Sequence, residues 1–91
     1  MQTAFIKIYG KVQGVFFRHF TVIEANKLGI RGFVLNASDG TVEITAQADE
    51  EKLNEFISCC KHGPERSRVD KVEVNNVSSH ISFDNFEVRY R

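Results

Sequence analysis

The chain has 91 residues, 42% of them hydrophobic, enough for one packed core and too few for a second. A single domain over residues 1–91 is expected, with any active site on its surface. Twelve Lys plus Arg balance twelve Asp plus Glu, so no broad field marks out a nucleic acid or an anionic membrane as partner, while local groups can still bind a small anion.

Ala4 to Tyr9 alternates, with Ala4, Ile6 and Ile8 on one face, which predicts a first strand ending at Gly10. From Phe17 to Leu28 the spacing turns helical. Phe17, Thr21, Ala25 and Leu28 form one stripe, and Gly29 follows at the position where a helix C-terminus favours glycine. Ile30 to Asn36 reads as a second strand and Asp39-Gly40 as a hairpin turn. Thr41 to Ala48 then returns as a third strand, with Val42, Ile44 and Ala46 facing one way. Asp49 is suited to cap a second helix, whose first-turn Glu50 and Glu51 complement the dipole and whose stripe is Leu53, Phe56, Ile57 and Cys60. Gly63-Pro64 stops it. Val69 to Val77 is a fourth strand, and Phe86, Val88 and Tyr90 alternate in a fifth.

The order β-α-β-β-α-β plus a C-terminal strand predicts an α+β, ferredoxin-like split-βαβ sandwich, an antiparallel sheet with two helices on one face. That fold hosts many functions and decides none of them. The first residues lack a secretory signal pattern, and no segment approaches the roughly 20 apolar residues that span a bilayer. Cys59 and Cys60 are adjacent, unsuited to a disulfide framework or a Cys-x-x-Cys metal site. The expectation is a soluble, cytoplasmic chain in reducing surroundings.

Chemistry concentrates in Gly10-Lys11-Val12-Gln13-Gly14-Val15-Phe16-Phe17-Arg18, a loop that leaves a strand and enters a helix. There, unpaired backbone N–H groups and the positive end of a helix dipole converge as an anion cradle. Gly14 lets the backbone curl around a phosphate. Arg18, in the first helical turn, can give phosphate two parallel hydrogen bonds. On spacing alone, one glycine and one arginine after a strand fit an ordinary surface loop better than a phosphate site.

The stretch Gly10 to Arg18 resembles the hallmark of the acylphosphatase family, Gly-x-Val-Gln-Gly-Val-x-Phe-Arg, at every fixed position. Gly32-Phe33-Val34-Leu35-Asn36 followed by Asp39-Gly40-Thr41-Val42 is similar to its second motif, and Gly63-Pro64 with Val69 to its spacing beyond the second helix. Leu35 stands where a basic, polar or small residue is usual, and Ala48 where glycine is expected. Leu35 is expected to affect the mouth of the site and Ala48 the turn into the second helix.

The resemblance implies hydrolysis of the carboxyl-phosphate bond of a small acyl phosphate, with water as nucleophile and no metal or other cofactor. The backbone N–H groups of Gln13, Gly14, Val15, Phe16, Phe17 and Arg18, with the Arg18 guanidinium, would hold the phosphoryl group, and Asn36 would orient the water. No general acid is needed, because a carboxylate departs without a proton. By default the chain is taken as a monomer with no nucleic-acid or membrane partner.

The alternative is a non-catalytic phosphate- or nucleic-acid-binding module on the same fold. Arg31-Gly32-Phe33 resembles the opening of the RNA recognition motif's aromatic strand, but Val34 and Leu35 break the pattern and the strand is the second rather than the third. A rival catalytic class appears in Cys60 to Arg66, which has the cysteine-phosphatase spacing. That chemistry needs the thiolate at a helix N-terminus, whereas Cys60 lies near a helix C-terminus with Glu65 close by, so it reads as a core residue. His19 reads as an exposed neighbour of Arg18, His62 and His80 as turn residues, Lys11 as a solvated lysine, and Phe17 as core.

Overall fold

The structure is a computed structural model that describes residues 1–78 and 81–90; His80 lies outside them. In chain order the elements are β1 (Gln2–Lys11), α1 (Phe17–Leu28), β2 (Arg31–Asn36), β3 (Val42–Ala48), α2 (Glu50–His62), β4 (Arg68–Val77) and β5 (Phe86–Val88). The strands form one sheet ordered β4-β1-β3-β2-β5.

Alternation along the strands sends one face inward. Ala4, Ile6 and Ile8 of β1, Val34 of β2 and Val42, Ile44 and Ala46 of β3 are each 1% exposed or less. The two helical stripes close over that face. Phe17 and Ala25 of α1 join Leu53, Phe56 and Cys60 of α2 in the same cluster, with Leu28 and Ile57 partly buried against it. α1 lies over β2 and β5, and α2 over β1, β3 and β4. Each helix runs where its apolar spacing predicts, because a stripe of this period can be buried only as a helix.

The starts of β2, β3 and β4 shift by one residue from the sequence expectation, β5 stops at Val88 short of Tyr90, and three further details differ. β1 does not stop at Gly10 but continues to Lys11 through a bulge, where Asp70 is the extra residue on β4. Gly10 is required there: its φ is 131°, and a Cβ would fall 2.0 Å from the Arg68 carbonyl oxygen. Asp49 occupies the N-cap position of α2, yet its side chain makes no capping hydrogen bond. Finally, the sheet is mixed, not antiparallel, because β5 pairs parallel to β2.

The direction of β5 follows from where β4 finishes. β4 runs antiparallel to β1, so it ends at the edge of the sheet where β1 and β2 begin. The connection crosses that edge, held by Gln47, whose Nε2 donates to the Ile81 carbonyl at 2.9 Å and whose Oε1 accepts from the Phe83 N–H at 3.3 Å. β5 therefore starts beside the start of β2. As a result β1, β2 and β5 all point their C-terminal ends the same way. Among the described residues no helix is long and apolar enough to cross a membrane.

Candidate active site

At the shared end of β1, β2 and β5 lies a cavity of about 430 Å³ lined by Val12, Gly14, Phe16, Phe17, Arg18, His19, Asn36, Val88 and Tyr90. The loop after β1 supplies one wall. Gly14 sits at φ 73°, and a Cβ there would meet nothing within 4 Å. Left-handed backbone, not crowding by other protein atoms, therefore explains the glycine. Phe16 also adopts a left-handed conformation, φ 62°, at the N-cap of α1.

That entry leaves the helix N-terminus bare. Phe16 provides no capping side chain, and the first turn of α1 carries no acidic residue. The first bond of the helix is Phe20 N–H to the Phe16 carbonyl, at 2.9 Å. Among the described residues, none of the N–H groups from Gln13 to His19 donates to another protein group. A run of unsatisfied donors at the positive end of a helix dipole is suited to accept an anion.

Arg18 brings a full charge to this wall. Its side chain is half-buried and forms no ion pair among the described residues; its guanidinium lies 5.2 Å from the centre of the Tyr90 ring. The helical backbone beneath it is tied by the Thr21 hydroxyl, which donates to the Arg18 carbonyl at 2.7 Å.

Asn36, the last residue of β2, faces the loop across the cavity. Its Oδ1 is buried and has no hydrogen-bond partner among the described residues, a state that costs about 1–3 kcal/mol unless a ligand or water satisfies it. The two walls are fastened by Gln13, whose side-chain amide donates to the carbonyls of Ala37 at 2.8 Å and Thr41 at 2.9 Å. The hairpin they belong to is closed by Asp39, which accepts from the Thr41 N–H at 3.1 Å and hydroxyl at 2.6 Å and pairs with Lys7 at 3.0 Å. These three interactions, with the Thr41 hydroxyl bond largest, hold the Asp39 carboxyl well below the usual carboxylate range.

The structure thus gathers Gly14, Phe16, Phe17, Arg18 and Asn36 around one cavity. Gln13 and Val15 are not in its lining: Gln13 spends its side chain on the hairpin, and Val15 is 7% exposed within the core. Phe17 packs into the core at 1% exposure. Leu35, expected at the mouth, is absent from the lining, because alternation along β2 turns it to the opposite sheet face from Asn36. Ala48 is a core residue at the end of β3. Lys11 pairs across to Arg68 and is exposed away from the cavity, His19 reaches its rim, and His62 is the exposed last residue of α2 rather than a turn residue.

Sequence reasoning missed Val12, Val88 and Tyr90. Tyr90 arrives because β5 is parallel to β2: with Val34 opposite Val88, two further residues along each chain bring Asn36 and Tyr90 to the same end. Cys60, the rival nucleophile, is wholly buried, and burial pushes its thiol above the usual range; the Cys59 thiol is raised by burial as well. Among the described residues no three His, Cys, Asp or Glu side chains cluster as metal ligands.

Comparison with known proteins agrees with this arrangement. Residues 4–88 match the family model described as Acylphosphatase. The chain is 47% identical over 88 residues to an acylphosphatase of Pseudothermotoga lettingae, covering 97% of this chain and 98% of that one. It is 42% identical over 87 residues to an acylphosphatase of Geobacter sulfurreducens, covering 96% of each. The crystal structure of acylphosphatase from Bacillus subtilis superposes with a TM-score of 0.96 at 37% identity, over 99% of this chain and 100% of that one. With the phosphate-loop motif, the fold and these full-length relatives in agreement, the chain belongs to the acylphosphatase family and is an acylphosphatase enzyme.

Proposed function

We propose that the chain, acting as a single domain and a cytoplasmic monomer without metal, cofactor or nucleic acid, hydrolyses acyl phosphates with Arg18 as phosphate anchor and Asn36 as water holder. The observation that carries this reading is that Gly14, Phe16, Phe17, Arg18 and His19, whose N–H groups have no protein acceptor among the described residues, line one cavity with Asn36.

The donors and the Arg18 guanidinium bind the phosphoryl oxygens and neutralise the charge that they carry through a loose transition state. The Asn36 side-chain amide hydrogen-bonds the water, turning an oxygen lone pair toward phosphorus. The water oxygen bonds to phosphorus as the bond to the acyl oxygen breaks, and that electron pair leaves with the carboxylate. The water's proton passes to a phosphate oxygen. Carboxylate and dihydrogen phosphate result, so neither a general acid nor a strong base is required. Balanced charge argues against a nucleic-acid partner, and the free thiols of Cys59 and Cys60 suit a reducing compartment.

The test is hydrolysis of benzoyl phosphate by Asn36→Ala in buffer containing a chelator. The turnover number is expected to fall at least about tenfold, with KM changing little, because the water is held at the reacting centre while the phosphate is held elsewhere. An unchanged turnover number would remove the role assigned to Asn36.

A further inference from the structure

We propose that Phe16 and Tyr90 form an aromatic rim that selects acyl phosphates with a flat, apolar acyl group over acetyl-sized ones. This rests on the phosphate-cradle reading above and extends it from the phosphoryl group to the part of the substrate that leaves.

Three observations single out Phe16. It is the one non-glycine residue with positive φ among the described residues, it occupies a helix N-cap without a capping side chain, and it is 75% exposed. Glycine would adopt φ 62° freely, and Ser, Thr, Asn or Asp would cap the helix. A phenylalanine forgoes both advantages and also holds a large apolar surface in water. Other large hydrophobic residues are exposed, among them Ile23, Val74 and Val77, but these lie on regular elements away from the cavity. Scattered single residues of that kind need no explanation.

Tyr90 is the second exposed aromatic at the same cavity, 81% exposed, with the Arg18 guanidinium against its ring. The loop N–H donors hold the phosphoryl group, so the acyl group bonded to it lies against the rest of the lining of the same cavity. Of the lining residues, Phe16 and Tyr90 are the large apolar ones that stand exposed. Flat aromatic faces bury apolar area against a planar acyl group and tolerate offset or edge contacts with it. An acetyl group offers less apolar area to bury against them.

The experiment compares kcat/KM for benzoyl phosphate and acetyl phosphate in the wild type, Phe16→Gly and Tyr90→Ala, after subtracting spontaneous hydrolysis. The benzoyl-to-acetyl ratio is expected to fall on the order of tenfold in each variant, the effect of losing contact with roughly 50 Å² of apolar surface. Because the phosphoryl group is common to both substrates, the ratio reports on the acyl group alone. An unchanged ratio in both variants overturns the rim while leaving the proposed hydrolysis intact. Failure of the wild type to hydrolyse either substrate overturns the proposed function itself. A measurement on the unmodified protein stands beside these: benzylphosphonate is expected to inhibit more tightly than methylphosphonate, and equal inhibition would also overturn the rim.

Discussion

Replacing Gln13 with glutamate inverts the polarity of the link between the two walls of the cavity. The native amide donates to two carbonyls, of Ala37 and Thr41, at 2.8 and 2.9 Å. A carboxylate of the same size presents oxygen to oxygen. Each carbonyl keeps one other partner, since Gly40 N–H donates to Ala37 and Ala37 N–H to Thr41, so neither is orphaned. Two lost hydrogen bonds at about 0.5–1.5 kcal/mol apiece make Gln13→Ala about 1–3 kcal/mol less stable. Gln13→Glu must lose more, because repulsion is added. For a domain of this size each 1 kcal/mol lowers Tm by about 4–8 °C. Urea and thermal unfolding of the wild type, Gln13→Ala and Gln13→Glu measure this ordering. A glutamate variant as stable as the wild type, or more stable than the alanine variant, would refute the assigned contact. Benzoyl phosphate turnover should fall in both, since Asn36 is then fixed less firmly relative to the loop.

Cys60→Ser should keep catalysis while placing an unpaired hydroxyl in the core, at a cost of about 1–3 kcal/mol in urea unfolding; loss of turnover in folded protein would restore a catalytic role to the thiol. Asp39 gives a pH signature. Its folded pKa is depressed, so its contribution to stability is complete above the unfolded value of about 3.9 and is lost as pH falls below that toward the folded value. The stability gap between the wild type and Asp39→Asn is therefore expected to be flat from about pH 5 to 8 and to narrow below about pH 4. A gap that widens on acidification would show that Thr41 and Lys7 do not favour the carboxylate.

Much of this architecture was legible in the sequence because its signals are local. The stripes Phe17-Thr21-Ala25-Leu28 and Leu53-Phe56-Ile57-Cys60 each lie within four turns of one helix and bury as read. The proposed anion cradle rests on an equally local signal, a strand end, a glycine loop and a helix start within nine residues. What escaped depends on distant pairing. Gln13 meets partners 24 and 28 residues away, and Tyr90 reaches Arg18 only because β5 runs parallel to β2. No local pattern encodes the direction of an edge strand, which is set by where the preceding connection crosses the sheet. Leu35 is a different case. Its departure from the second motif suggested an effect at the mouth of the site, whereas strand alternation, already readable, turns it to the face opposite Asn36.

Steady-state hydrolysis of benzoyl phosphate by Arg18→Ala, in chelator-containing buffer and on protein with wild-type circular dichroism, tests the central claim most directly. Arg18 makes no ion pair among the described residues and faces the cavity, so its removal should leave the fold intact. Loss of one charged donor at the transferring phosphoryl group is expected to raise the barrier by about 3 kcal/mol or more, at least roughly a hundredfold in kcat/KM. Activity within a few-fold of the wild type would contradict the arginine-anchored cradle.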